Sequence, residues 1–495
     1  MADDTMDSMI TEVCALFGVE MLKFEQREIV RSLLARRDCM AVLPTGFGKS
    51  LPYQIYLPLI RRMKAEPEPT EVFTPETVNN LEKLDVEEKI IVCCPLVSLM
   101  NDQVKRLETV PGLKSAFKGN SEEGDQQIKN GSIDVIFASP ETLVGDPYWR
   151  SQLQQLSVGL IVLDEFHTIT TWGGDEETDE QEAFRKWFRY IGEMRAMFPN
   201  ATALALSATC TNKIKKQVMK ILNFKTDNTM FLNVSPNKSN IKLVVKKIEN
   251  SVDTAMFWLI DSLERLGQDF PKTLIYANSI NKVSKLYKYT TTEVPMCKSL
   301  VEMFHSETSD KNKNKIIEAM CQMSSDIRIV FATTALGMGI DVVACHSIIL
   351  YGSPRRILDL VQEIGRVGRD NTNSVAILLH NSFHLRSVNK EVRTVFTKNT
   401  CRRQVLMSNF LQDTELEELA KKECNKHTCC DNCAKNCSCG DCEILQIESL
   451  IENVETVPHD SDSDTIEYEY NAAADDGVEL FSSDDDFLAE LDENV

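Results

Sequence analysis

The sequence predicts an α/β protein of two tandem parallel-sheet lobes, followed by a small cysteine-rich helical module and an acidic tail. Three observations carry this. Short apolar runs alternate with longer amphipathic stretches from Cys39 to His380. The alternation occurs twice, once on each side of the polar segment VSPNKSNIK at 234–242. Eight of the 16 cysteines fall between Cys401 and Cys442. Runs that are apolar on both faces and separated by helical pattern mark buried parallel strands joined by crossover helices.

In the first lobe, taken as residues 1–233, the runs are CMAVLP, KIIVCCP, DVIFASP, GLIVLDE and ATALALSAT. In the second, 234–395, they are KTLIYAN, IRIVFATT, HSIILYG and SVAILLH. Residues 61–88 carry too much Pro and Glu for core and read as an inserted surface loop. Residues 182–192 read as a crossover helix. Residues 396–443 hold the cysteine module, and from 444 to 495 the composition is acidic and Ser-rich, the signature of disorder. Four such segments suit 495 residues, too many for one compact core.

Charge is distributed unevenly. The formal net charge is −21, yet no Lys or Arg follows Lys435, and 19 Asp and Glu lie beyond it, leaving about −2 for the rest. The bulk of the chain is therefore compatible with a local basic groove. No run approaches a membrane-spanning length and the N-terminus has no signal-peptide pattern, so the expectation is a soluble intracellular protein. In that setting, clustered cysteines favour zinc over disulfides, whereas the scattered ones read as small buried hydrophobes.

The chemistry is concentrated in a few loops. CMAVLPTGFGKS gives a strand, a glycine-containing turn and a helix start, with Pro52 in the first helical turn. The loop Pro44-Thr45-Gly46-Phe47-Gly48-Lys49-Ser50 turns backbone N–H groups toward a phosphate; Lys49 would neutralise the β and γ phosphates of ATP and Ser50 would hold Mg²⁺. Leu43 stands where the strict phosphate-loop pattern has glycine. On what reads as a neighbouring strand, LIVLDEFH ends in two carboxylates, a costly placement unless they bind something. Asp164 would serve Mg²⁺, and Glu165 would orient or deprotonate the attacking water. In the second lobe, Gln362 precedes Arg366 and Arg369, three apart and read as sharing a helical face, the cations that phosphoryl transfer needs.

Taken together, these residues resemble the superfamily-two helicases, and specifically the RecQ family, over residues 15–435. The matching stretches run in order: Leu16-Phe17-Gly18 with Lys23 and Gln26, VLPTGFGKSLPYQ, CPLVSLMNDQV, DEFH, LSAT, TLIYANS, FATTALGMGID and QEIGRVGRD. The family's phosphate loop also lacks the first glycine, which accounts for Leu43. The resemblance implies two RecA-like lobes and a 3′ to 5′ DNA-unwinding translocase acting in DNA repair or recombination, in the nucleus (cytoplasmic placement being the alternative). Its substrates would be single-stranded DNA and duplex with a 3′ overhang. It assigns Lys23 and Gln26 to adenine, His167 to the nucleotide-facing DExH box, and Gly339 and Asp341 to the ATP side of their loop. Ser98, Asn101, Asn278, Thr333 and Thr334 would touch DNA phosphates, which positions the strand without reading sequence. Trp172 stands in the family's aromatic loop as a stacking platform, although the usual Trp-Gly-His-Asp core is here Trp-Gly-Gly-Asp followed by an acidic run.

By the same resemblance, Cys401, Cys424, Cys430 and Cys433 bind one Zn²⁺, with Cys429 the alternative for Cys424 or Cys430 and His427 a further one. Cys437, Cys439 and Cys442 continue at Cys-x-Cys-x-x-Cys spacing, and with Cys429 or His427 would form a second zinc site. The family's winged-helix and helical C-terminal modules have no counterpart in the acidic tail, so a short form is expected, the tail being a solvating segment or a docking peptide for a protein partner. Two rival readings stay open: a weakly active or inactive nucleic-acid-binding scaffold of the same fold, and an RNA-directed ATPase of the same superfamily.

Overall fold

A computed structural model describes residues 2–66, 75–171, 186–322, 324–337, 345–386, 388–439, 442 and 444–452. The chain divides into two compact units. One holds the described residues up to Asn237 together with Met407–Gln412; the other holds Lys238–Leu406 and the described residues from Asp413 onward.

The first unit is built on β1 (Asp38–Val42), β2 (Lys89–Cys93), β3 (Ser115–Phe117), β4 (Val135–Ala138), β5 (Val158–Leu163), β6 (Thr202–Ser207) and β7 (Thr229–Asn233). These pair in the order β3-β4-β2-β5-β6-β1-β7, every pair parallel. The second has β8 (Ile241–Lys247), β9 (Thr273–Ala277), β10 (Val301–Phe304), β11 (Ile329–Ala332), β12 (Ser347–Tyr351) and β13 (Ser374–His380). Their order is β10-β11-β9-β12-β13-β8, again all parallel. Helices cover the faces, as parallel sheets require. In the first unit Ile29, Leu33, Tyr53, Tyr56 and Ile60 join the core formed with Ile90, Val92 and Val162. In the second, Met256, Leu259 and Leu263 pack with Ile275, Phe331 and Ile349.

All nine apolar runs become strands. The four strands without such a run, β3, β7, β8 and β10, are the edges of the two sheets. An edge strand is flanked on one side only, so its residues alternate or stay half-exposed, as in β8 and β10, and no continuous apolar run is needed.

Three expectations need correction. Residues 61–88 are not a loop throughout: a helix runs over Tyr56–Lys64 and another over Pro75–Lys83, with Leu81 and Leu84 buried in the first core. Pro75 opens its helix, where a missing N–H costs nothing. The centre of that stretch, 67–74, lies outside the described residues, as do 172–185 and 453–495. Of the segment expected to be a crossover helix, Lys186–Tyr190 is a 3₁₀ turn. The acidic tail does not begin as disorder at 444: Gln446–Glu452 is a helix whose Ile447 and Leu450 are buried in the second core, and Glu448 pairs with Lys242 at 2.7 Å. Apolar residues at i and i+3 outweigh local acidity once a partner face is available.

The cysteine module is fastened to the second sheet by the two arginines that follow Cys401. Arg403 donates to the carbonyls of Lys238 (2.8 Å), Ile241 and Cys429 (3.3 Å). Arg402 holds Asp431 at 3.1 and 3.2 Å and the carbonyls of Val395, Phe396 and Lys398. A parallel bridge between Leu243 and Cys430 continues the edge of β8. No helix among the described residues is long and apolar enough to cross a membrane.

Candidate nucleotide site and metal centre

The phosphate loop leaves the C-terminal end of β1 and enters the short helix Leu51–Gln54, with Ser50 at its N-cap and Pro52 in the first turn. Gly46 and Gly48 sit at φ +80° and +85°, a region that favours glycine. At Gly48 a Cβ would also lie 2.7 Å from Nε2 of Gln26. Gln26 is the buried strut of this loop: its Nε2 donates to the carbonyls of Phe47 (3.1 Å) and Gly48 (3.0 Å), and its Oε1 accepts from the Lys23 amide (2.9 Å). Lys23 donates to the Phe47 carbonyl at 3.2 Å, with its ammonium 4.2 Å from the Phe47 ring centroid. The two residues assigned to adenine are thus tied to the phosphate loop.

The two carboxylates were expected on a strand neighbouring the loop, but β6 lies between β1 and β5. The intervening strand supplies the link. Asp164 N–H donates to the Cys93 carbonyl and Phe166 N–H to that of Leu206, so the chain stays in register on both sides while Glu165 turns out at φ +49°. A non-glycine residue held at positive φ at a strand end is a local strain that surrounding contacts must maintain. Those contacts are present. Glu165 meets Lys49 Nζ at 3.4 Å and His167 Nδ1 at 3.3 Å, and accepts from Ala208 N–H at 3.3 Å. His167 Nδ1 also lies 2.9 Å from Oγ of Ser207, at the end of β6.

Electrostatics separate the two carboxyls. Burial, then the neighbouring charge of Glu165, pushes Asp164 up to about 6 against the opposing pull of Lys49. For Glu165 burial works in the same upward direction, but Lys49 and the hydrogen bond and charge of His167 outweigh it and hold this carboxyl well below the usual range. One group therefore stays ionised as a hydrogen-bond acceptor. The other is poised to exchange a proton for a cation. Ser50 and Asp164 together offer a hydroxyl and a carboxylate, the oxygen donors that Mg²⁺ prefers.

Ser207 and Gln103 belong to this site and were not picked out from the sequence. Gln103 donates to Ser50 Oγ at 3.3 Å and accepts from Gln54 at 2.6 Å, orienting the hydroxyl of the loop. LSAT and CPLVSLMNDQV carried the signal, but a hydroxyl or amide acting through another side chain has no spacing rule of its own.

In the second unit the helix Ile357–Ile364 contains Gln362, but it ends before Arg366. The arginines do not share a helical face. Gly365 caps the helix, and Gly368, at φ +60°, turns the chain again, with its carbonyl held by Asn240 Nδ2 at 2.9 Å. Both arginines act electrostatically on the Tyr276 hydroxyl of β9, and Arg366 is buried. Burial, then Asp359, pushes Glu363 up to about 8 despite Arg366.

Of the residues assigned to DNA, Asn101 is half-buried in the helix Val97–Leu107. Asn278 and Thr334 are exposed two residues beyond the paired Tyr276 and Ala332, at the C-terminal ends of adjacent strands. Thr333 is buried, and its Oγ1 accepts from the Ala335 amide at 3.4 Å, which makes it a cap in this conformation. Trp172, Gly339 and Asp341 and the side chain of Ser98 lie outside the described residues.

The thiols of Cys401, Cys429, Cys430 and Cys433 all lie within 4.8 Å of one another. Cys429, the alternative, is in this group, and the Sγ of Cys424 lies beside it, 3.2 Å from that of Cys401. Cys429, Cys430 and Cys433 are buried, whereas Cys401 and Cys424 are both half-buried. Cys430 Sγ accepts from the amides of Arg402 and Cys433, both at 3.4 Å, an arrangement suited to a thiolate. Four sulfurs closing on one point fit a structural Zn²⁺.

Comparison with known proteins agrees with this anatomy. Residues 24–217 match the DEAD/DEAH box helicase family and 257–371 the helicase conserved C-terminal domain. The chain is 28% identical over 442 residues to the bifunctional 3′-5′ exonuclease/ATP-dependent helicase WRN of Mus musculus, covering 84% of this chain and 28% of that protein. It is 28% identical over 373 residues to the probable ATP-dependent DNA helicase RecS of Bacillus subtilis, covering 73% and 65%. The chain thus spans less than two thirds of either relative. The solved structure of the DUF1998 helicase MrfA bound to DNA superposes with a TM-score of 0.56 at 16% identity over 85% of this chain and 61% of that one, which shows a common fold. With two RecA-like lobes, the chain carries both the DEAD/DEAH box helicase domain and the helicase conserved C-terminal domain, and along most of its length it is similar to RecQ-family helicases.

Proposed function

We propose that the protein is an ATP-dependent DNA helicase that translocates 3′ to 5′ on single-stranded DNA and opens duplex carrying a 3′ overhang, in DNA repair or recombination. The observation that carries this is the Lys49–Glu165–His167–Ser207 cluster, which joins the phosphate loop, the DExH box and the end of β6 in one contact network. Lys49 rests on Glu165, and an incoming phosphate competes for its ammonium, leaving Glu165 to orient the attacking water. Ser207 and Ala208 feel the change directly, since they hold His167 and Glu165. Mg²⁺, when bound, neutralises the phosphate oxygens, and Ser50 and Asp164 are the residues that would hold it. Gln362, Arg366 and Arg369 of the second unit keep the part in ATP hydrolysis that the family resemblance implies for them. Asn101, Asn278 and Thr334 bear the strand's phosphates, and Cys401, Cys429, Cys430 and Cys433 hold a structural zinc.

ATP hydrolysis with and without single-stranded DNA, for the wild type and Lys49→Ala, tests the reading. DNA should stimulate the wild type, and the variant should lose on the order of 10²–10³ of that rate, the scale of removing a preorganised charge partner. Unwinding of a 3′- but not a 5′-overhang duplex fixes the direction. Hydrolysis indifferent to DNA, or stimulated by RNA alone, sinks the DNA-motor assignment.

A further inference from the structure

A second donor cluster lies beyond the one already assigned. His427, Cys437, Cys439 and Cys442 each offer one ligand atom, and the four atoms lie within 4.8 Å of one another. Cys439 Sγ is 3.2 Å from Cys437 Sγ, 3.3 Å from Cys442 Sγ and 3.1 Å from His427 Nδ1, and Cys437 Sγ is 3.6 Å from that nitrogen. Metal–sulfur bonds of about 2.3 Å at tetrahedral angles place sulfurs roughly 3.8 Å apart, close to this spacing.

Hydrophobic burial does not explain the gathering. Cys439 and Cys442 are exposed and Cys437 is half-buried, in contrast to the enclosed thiols of the first cluster. Thiol hydrogen bonds are too weak to hold three sulfurs and an imidazole together at a surface. Nor does the chain bring a compensating charge from downstream, since no Lys or Arg follows Lys435. A cation with affinity for thiolate and imidazole meets each of these requirements.

We propose that His427 Nδ1 and the Sγ atoms of Cys437, Cys439 and Cys442 hold a second Zn²⁺, distinct from the ion of the Cys401, Cys429, Cys430 and Cys433 set. Four protein donors leave no open position, so the site is structural. The two sets interlock in sequence, because His427 of the second lies between Cys401 and Cys429 of the first. The second ion fastens the segment leaving the first cluster to the loop that enters it. It thereby fixes where the chain begins the helix Gln446–Glu452, which docks through Ile447, Leu450 and the Lys242–Glu448 pair.

The test is the zinc content of the full, reduced chain together with its cobalt-substituted spectrum. Two zinc ions per chain are expected in the wild type and one in the Cys439→Ser/Cys442→Ser double variant. His427→Cys should keep two ions and shift the cobalt ligand-field bands of one site from the three-sulfur, one-nitrogen pattern to the four-sulfur pattern. That gain of signature cannot come from misfolding, so it decides the matter if the double variant loses both ions. One zinc per chain in the wild type, two retained in the double variant, or an unshifted cobalt spectrum in His427→Cys each overturns the proposal.

Discussion

The nucleotide site of the first unit and the buried cysteine cluster of the second both gather groups that repel one another when ionised, and they resolve it in opposite ways. Asp164 and Glu165 are adjacent, but Lys49 and His167 face Glu165 at 3.4 and 3.3 Å, so compensation comes from the protein itself. Around Cys401 the sulfurs of Cys424 and Cys429 approach to 3.2 and 3.5 Å, while Arg402 and Arg403 are engaged with carbonyls and Asp431. Compensation there would come from the proposed zinc ion. A site balanced by its own side chains can bind, release and rebind a ligand; a site balanced only by a metal keeps it. The first arrangement suits turnover and the second suits permanence.

The largest effect should come from unbalancing the first site. In Glu165→Gln the group proposed to orient the attacking water is lost, and Lys49 loses its ionised partner. Single-turnover ATP hydrolysis is expected to fall by roughly 10²–10⁴-fold, the range for a positioned general base. Nucleotide affinity should hold or rise, because Lys49 is freed for phosphate. A Kd that weakens in step with the rate would contradict the self-compensated picture.

Unbalancing the second site should act on stability and spare the nucleotide. Cys430→Ser removes the sulfur that two backbone amides already organise. It should release one zinc and destabilise the second unit on the order of 3–5 kcal/mol, as when one partner is stripped from a buried charge cluster. Limited proteolysis between Cys401 and Cys433 reads this. Nucleotide binding should not change, since Gln26, Gln103 and Glu165, which hold the phosphate loop, lie in the first unit. Retained zinc with unchanged proteolysis would remove Cys430 from the ligand set.

This contrast was only partly legible in the sequence, and the boundary has a physical cause. Strands buried on both sides announce themselves, so β1, β5 and β9 stand out as apolar runs, whereas β7 and β8 do not because one side of each is open. Lys49, Asp164 and Glu165 are legible because ionised groups at strand ends are costly without a purpose. Ser207 and Gln103 are not, since their role consists of holding His167 and Ser50, and only the fold brings those together. One reading failed where spacing was taken for geometry: Gly365 ends the helix before Arg366. Spacing also left open whether Cys424 or Cys429 joins Cys401, Cys430 and Cys433, and the fold brings Cys429 among them. The helix Gln446–Glu452 was hidden by its acidic surroundings, although Ile447 and Leu450 carry its docking face.

The smallest expected effect is the most direct measure of how finely the first site is balanced. Asp164 titrates at about 6 rather than 3.8 because burial and Glu165 disfavour its charge. The fold therefore favours the protonated carboxyl. That contribution to stability is fully present below the unfolded value and is lost as pH rises through about 6. Binding of Mg²⁺ with nucleotide calls for the opposite, ionised form. Across this window, acidification should raise the contribution of Asp164 to the stability of the ligand-free protein while weakening Mg²⁺-dependent nucleotide binding by up to about tenfold per pH unit. Glu165, held well below the usual range, stays ionised in the folded protein, but its unfolded carboxyl takes up protons near 4.5, so it adds a slope of the opposite sign at the acid end; between about pH 7 and 5 the slope of Asp164 dominates. Thermal midpoints without ligand and nucleotide Kd with Mg²⁺, followed over the same pH range, should diverge in the wild type and lose that divergence in Asp164→Asn. An Asp164→Asn variant that keeps both slopes would place the titration elsewhere, and with it the origin of the exchangeable charge.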